Sequence, residues 1–275
     1  MSVRDILLHL DTGETARAAT DFAVSLAEAT GAHLTAAGLA IEYVAMGGLE
    51  DTGSYAYLAE ATEQNRANVE AAYQSLAAAV PAGVQTDFVL LQTVAGVARD
   101  RFGELARHFD LAVVGQGTPE AGQDDRLMGR GALFGSGKPV FFIPAIHRGP
   151  ARLDKAMVCW DGGVAAARAL AGALPLLTRA SGVEVVTIAR DREPAAELPG
   201  FNIARHLARH GVAATLRTLP PSVDVGATLL SHAAASGADF MVMGGYGRWR
   251  FSEFVLGGAT RTILRSSATP VIMSH

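Results

Sequence analysis

At 275 residues, with 49% apolar and 18% charged side chains, the chain can bury one large core or two ordinary ones, which excludes intrinsic disorder. A formal net charge of −4 argues against an electrostatic nucleic-acid binder. The single cysteine, Cys159, excludes an internal disulfide and a thiolate zinc site.

Met1-Ser2-Val3-Arg4-Asp5 lacks the apolar core of a signal peptide, and no uncharged apolar stretch reaches the ~18–20 residues that span a bilayer. The expectation is a cytoplasmic protein with no membrane partner.

The first predicted element is the strand Ile6–Leu10, ending in Asp11-Thr12-Gly13. An alanine-rich helix follows over Glu14–Ala29, with apolar residues at i, i+3, i+4 spacing and Gly31 suited to its C-terminus. Next come a strand over Ala32–Ile41, a Gly-rich segment Ala45–Ser54, and a covering helix over Tyr57–Val80. The first half continues with the strand of Phe109–Gly115 and closes on Pro139–Ile143.

The second half repeats this order. Ala156-Met157-Val158-Cys159-Trp160-Asp161-Gly162-Gly163 lines up with Ile6–Gly13, and a helix follows over Val164–Ala180 with Gly182 beyond it. A strand over Val183–Ala189 comes next. Ala238–Gly244 matches Phe109–Gly115, and Pro270–Met273 matches Pro139–Ile143. Two copies of one unit therefore span 1–149 and 150–275, joined by His147-Arg148-Gly149-Pro150.

Five apolar strands alternating with helices in each unit predict α/β domains, each with a parallel sheet covered by helices on both faces. Ligands of such sheets bind outside the carboxyl ends of the strands, where strand order reverses. Asp11, Asp161, Gly115 and Gly244 all fall at such ends.

The most informative stretch is Met243-Gly244-Gly245-Tyr246-Gly247, followed after nine residues by Gly257-Gly258-Ala259-Thr260. A buried strand runs into a glycine turn, and a second glycine pair opens a helix. Glycines at a strand end let a bulky group approach the backbone, and a helix start leaves N–H groups free to receive an anion.

These residues resemble the universal stress protein family in its tandem two-domain form, across essentially the whole chain. The pattern Gly-x2-Gly-x9-Gly is met by Gly244, Gly247 and Gly257, and Trp160-Asp161-Gly162 is typical of tandem bacterial members. The resemblance implies a stress-response or signalling module that binds an adenine nucleotide such as ATP in its second half. In nucleotide-binding relatives the first-strand Asp meets adenine, the second-strand end lines the base pocket, and the glycine loop holds the phosphates. Those roles would fall to Asp161, to Ile188, to Met243 with Gly244, and to Gly247, Gly257, Gly258 and Ala259.

The resemblance further implies an intramolecular pseudo-dimer through the last strands, Val140–Ile143 and Val271–Met273. A homodimer of whole chains and an unidentified protein partner remain open alternatives.

The chain departs from the pattern where nucleotide-binding members carry Ser or Thr after the third glycine and this sequence has Gly258. A lost charge-assisted hydrogen bond costs on the order of 1.5–3 kcal/mol, roughly ten- to hundredfold in affinity. Arg248, Arg250 and Arg261 lie near enough in sequence to compensate. In the first half, Gln116-Gly117-Thr118-Pro119-Glu120 lacks the spacing, and Asp124-Asp125 would repel phosphate.

Other motifs fail. Gly135-Ser136-Gly137-Lys138 has Pro139 where a P-loop needs Ser or Thr. Gly115-Gln116-Gly117 has Glu120 where a dinucleotide fingerprint needs its third glycine, and no Gly-x-Ser-x-Gly elbow occurs. His206 with His210 is a helical pair too small for a metal site. Asp161 has no paired acid nearby in sequence, so a regulatory binding protein with slow or absent ATP turnover is expected. Two alternatives are a nucleotide-independent, stress-linked interaction protein and an adenine-nucleotide-dependent enzyme.

Overall fold

A computed structural model describes residues 2–13, 16–43, 52–117, 124–189, 202–246 and 258–275. In the first half the elements are β1 (Asp5–Leu10), α1 (Ala16–Thr30), β2 (His33–Glu42), α2 (Thr52–Ala79), β3 (Thr86–Val94), α3 (Ala95–Ala106), β4 (Leu111–Gly115), α4 (Asp124–Gly135) and β5 (Val140–Ile143). The second half carries β6 (Lys155–Cys159), α5 (Val164–Leu177), β7 (Gly182–Ile188), α6 (Ile203–Arg209), β8 (Ala214–Leu219), α7 (Val225–Ser236), β9 (Phe240–Gly244), α8 (Gly258–Ser266) and β10 (Val271–Ser274).

All ten strands form one sheet, in the order β3-β2-β1-β4-β5-β10-β9-β6-β7-β8. Pairing is parallel within each half. The halves join at one antiparallel seam, where Val140, Phe141 and Phe142 of β5 face Met273, Ile272 and Val271 of β10. The seam satisfies two apolar strands that would otherwise be bare edges. Because it is antiparallel, the carboxyl ends of the two sets of strands lie on opposite rims of the sheet.

Near-continuous apolar strands are what burial on both faces requires, and the core has two layers. One face packs Ile6, Leu8, Phe22, Leu26 and Phe141 with Leu170, Leu176, Val242, Phe240 and Ile272. The other packs Leu7, Phe102, Met128 and Leu133 with Met157, Met241, Met243, Ile263 and Met273. Each layer draws on both halves, so the two repeats share their cores.

Three expectations change on inspection. The covering helix α2 starts at Thr52 and is partly inserted: Val69 and Leu76 are buried. Gly38 of β2 makes room for it, since a Cβ there would lie 2.1 Å from Val69 Cγ1. The helix after Asp161 ends at Leu177, shortly after Pro175, where Thr178 N–H bonds the Leu174 carbonyl. Gly182 consequently caps no helix; it opens β7, its N–H donating to the Asp154 carbonyl at 2.9 Å. Gly31, by contrast, has the positive φ of +69° expected after α1.

Among the described residues, no helix is long and apolar enough to cross a membrane.

Candidate functional site

In the second half the strand order reverses between β6 and β9, the neighbours whose following chains carry Asp161 and the glycine turn. Cys159 lies opposite Met243 on one side and Val186 on the other, and Trp160 N–H donates to the Val186 carbonyl at 2.8 Å. Both ladders of β6 end at Cys159, so Asp161 follows β6 at the same rim on which β7 ends at Ile188 and β9 at Gly244. The sequence-predicted Asp161, Ile188, Met243 and Gly244 are thus gathered on one rim.

Asp161 is exposed, on a turn made by Gly162 at φ +75°. Its Oδ1 accepts from Gly163 N–H at 2.8 Å, an Asx turn that leads into α5. The first half repeats the device: Asp11 Oδ1 accepts from Gly13 N–H at 3.1 Å. Ile188 is half-buried and Met243 is buried, both packed on the face that carries α7 and α8.

Gly244 has a structural reason of its own. A Cβ there would stand 2.6 Å from Ala166 N and 2.7 Å from Ala165 C, so only glycine lets the first turn of α5 close on the end of β9. Gly258 and Ala259 form the first turn of α8, half-buried. Gly247, Gly257, Arg248, Trp249 and Arg250 lie outside the described residues.

Thr260 does not supply the hydroxyl that Gly258 lacks. It is buried, and its Oγ1 accepts from Tyr246 N–H at 3.1 Å. Arg261 is exposed on α8, while Arg168 of α5 donates through Nη1 to the His275 carbonyl at 2.9 Å.

Several neighbours of this rim were beyond sequence reasoning. Tyr246 packs its ring on Phe134 of the first half, centroids 5.1 Å apart. Leu133 Cδ2 stands 3.0 Å from where a Gly245 Cβ would be. On the opposite rim Gln116, directly after β4, is buried and donates through Nε2 to the Ile263 carbonyl of α8 at 3.0 Å. The last helix of each half therefore touches the rim of the other. The only linear signal for these contacts is the repeat combined with an antiparallel seam.

The first half fills its own rim differently. Beyond the end of β1, the Ile41 N–H donates to Asn65 Oδ1 at 2.7 Å and the Tyr43 N–H to Thr62 Oγ1 at 3.1 Å, both on α2.

Cys159 is buried against Met243, and burial, with Asp161 close by, pushes its thiol up to about 12, so it is not a nucleophile at neutral pH. The rings of His206 and of His210, just after α6, meet edge-on at 4.8 Å, both residues exposed. No group of three or more metal-capable side chains occurs among the described residues.

Compared with known proteins, residues 153–275 match the sequence profile described as Universal stress protein family. The second half is a universal stress protein domain. Its membership supports a role in the stress response.

Over the full length, the fold is that of a universal stress protein from Archaeoglobus fulgidus, with a TM-score of 0.67 at 15% identity, covering 98% of this chain and 95% of the other. A functionally unknown protein from Pseudomonas aeruginosa is similar at a TM-score of 0.56 and 16% identity, covering 98% and 92%. Likeness at such identities establishes the tandem α/β fold and nothing finer. No curated protein matches the chain in sequence.

Proposed function

We propose that the chain is a cytoplasmic stress-response module whose second half binds an adenine nucleotide at the rim between β6 and β9. One observation carries the reading. Asp161 follows β6 and Met243 lies at the end of β9, the two strands between which strand order reverses, which is where an open α/β sheet offers ligand space. Ile188 ends the next strand on the same rim, and the Tyr246 N–H bond to Thr260 ties the start of α8 to it. An exposed carboxylate suits hydrogen bonding to a base amine, and the half-buried Ile188 at the end of the neighbouring strand suits the flat apolar face of a base. The N–H groups that start α8 suit a phosphate.

The roles that follow are binding roles. Asp161 would meet the base, Ile188 would line its pocket, Met243 with Gly244 would border the site at the end of β9, and Gly247, Gly257, Gly258 and Ala259 would hold the phosphates. The module is read as regulatory, with occupancy coupled to a protein partner.

A second reading has its own support. Gly244 is required by the backbone of Ala165 and Ala166, so packing alone accounts for it. A nucleotide-independent interaction protein would keep it.

Thermal melts with and without millimolar ATP, ADP or AMP separate the readings. Ligand at 100 times its dissociation constant adds about 2.7 kcal/mol, a shift of several degrees. The nucleotide reading expects that shift, its loss in Asp161→Ala, and its retention in Asp11→Ala. No shift, together with no nucleotide released on denaturing the purified protein, would leave the interaction protein standing.

A further inference from the structure

The peptide that joins Gly245 to Tyr246 is fixed at both of its polar groups. His275 Nδ1 donates to its carbonyl at 3.0 Å, and its N–H donates to Thr260 Oγ1 at 3.1 Å. Gly245 N–H in turn donates to the Ser274 carbonyl at 2.8 Å. Tyr246 itself sits at φ +52°, alone among the described non-glycine residues in having a positive φ. A bulky side chain adopts that conformation only where its surroundings enforce it, and such enforced outliers gather at ligand clamps and switches.

A ring from the other half of the chain packs against both His275 and Tyr246. Phe134, near the end of α4, sets its ring edge-on to His275 at 4.8 Å and 71°, and tilted on Tyr246 at 5.1 Å and 48°. It thereby touches both the residue that holds the Gly245 carbonyl and the residue whose φ is strained. Phe134 is also 45% exposed, so it gains less from burial than an ordinary core residue and its placement needs another reason.

We propose that Phe134 is a positioning residue through which the first half sets the start of the second half's glycine loop. The ring keeps His275 and Tyr246 in place, and the Gly245–Tyr246 peptide keeps one orientation at the end of β9. That peptide is thus held by α4 as well as by its own half. For the ligand, this rests on the nucleotide reading: backbone groups that must be ordered on binding give up affinity to that ordering.

Amide hydrogen exchange on the full chain tests the idea without any ligand. In Phe134→Ala the Tyr246 amide is expected to exchange faster by about tenfold or more, while Met241–Met243 of β9 keep their protection. Phe134→Tyr, which keeps the ring, is expected to restore the slow rate. Unchanged exchange at Tyr246 in Phe134→Ala overturns the proposal, and so does acceleration spread equally through β9, which would make Phe134 ordinary packing. ATP titration of the same variants separates this from the nucleotide reading. If the parent protein binds ATP, Phe134→Ala weakens it several-fold and Phe134→Tyr recovers it. If the parent binds none, the nucleotide reading fails and the exchange rates alone decide the role of Phe134.

Discussion

The ring of Phe141 meets the ring of Phe240 edge-on across the seam, centroids 6.1 Å apart, and the same Phe141 ring lies 5.1 Å from Phe22 on its other side. Phe141 is the last-strand residue of the first half and Phe240 opens β9 of the second, so one fully buried side chain serves both repeats. Phe141→Ala removes both contacts and leaves a cavity that neither half can collapse alone. The expected cost is about 3–5 kcal/mol, with a fall in melting midpoint of roughly 10 °C. A drop of only a degree or two would mean that the halves do not depend on a common core.

Gly244 is the second place where a small change should be felt. In Gly244→Ala the new methyl would meet the backbone of Ala165 and Ala166, which cannot swing aside as a flexible side chain would. A destabilisation of about 1–3 kcal/mol is expected, read from denaturant midpoints at constant m. The effect should appear in nucleotide-free protein, because its cause is the closure of α5 on β9. A variant as stable as its parent would show that α5 can shift outward at little cost.

His147 gives a pH dependence of definite sign. Burial of the imidazole, with Phe22 edge-on at 5.5 Å and the Arg148 charge adjacent, holds it below its ordinary 6.5, although a backbone bond at Gly149 pulls the other way. In the unfolded chain the ring takes its proton near 6.5; in the fold it does so only at lower pH. The unfolded state therefore binds more protons in that window, so this contribution to stability is complete above 6.5 and is lost as pH falls through the folded value. His147→Asn should lose less stability than its parent between pH 7 and the mid-5 range. Parallel pH profiles of the two melting midpoints would contradict it.

Much of the architecture is legible in the sequence because its causes are local. Apolar runs such as Ile6–Leu10 and Ala156–Cys159, each closed by an Asp-x-Gly turn, mark strand ends whatever surrounds them. Their recurrence shows a repeat, and two bare apolar last strands indicate how the repeats meet. The gathering of Asp161, Ile188 and Gly244 on one rim follows from parallel strand order alone. Where a Gly serves depends on what approaches it, and so Gly182 misleads: a glycine after a helical pattern reads as a cap, yet here the ladder bond to Asp154 claims it for β7.

The tertiary structure decided the rest. That Tyr246 packs tilted on Phe134, that Gln116 reaches Ile263, and that the Thr260 hydroxyl accepts from the Tyr246 N–H are contacts between residues 14 to 147 positions apart. Composition and periodicity fix which side of a strand or helix is apolar. They do not fix which partner fills it, because packing is a property of the assembled surfaces. The sequence by itself determined two α/β repeats and the rim on which a ligand site would lie; the antiparallel seam decided that each rim is finished by the last helix of the other half.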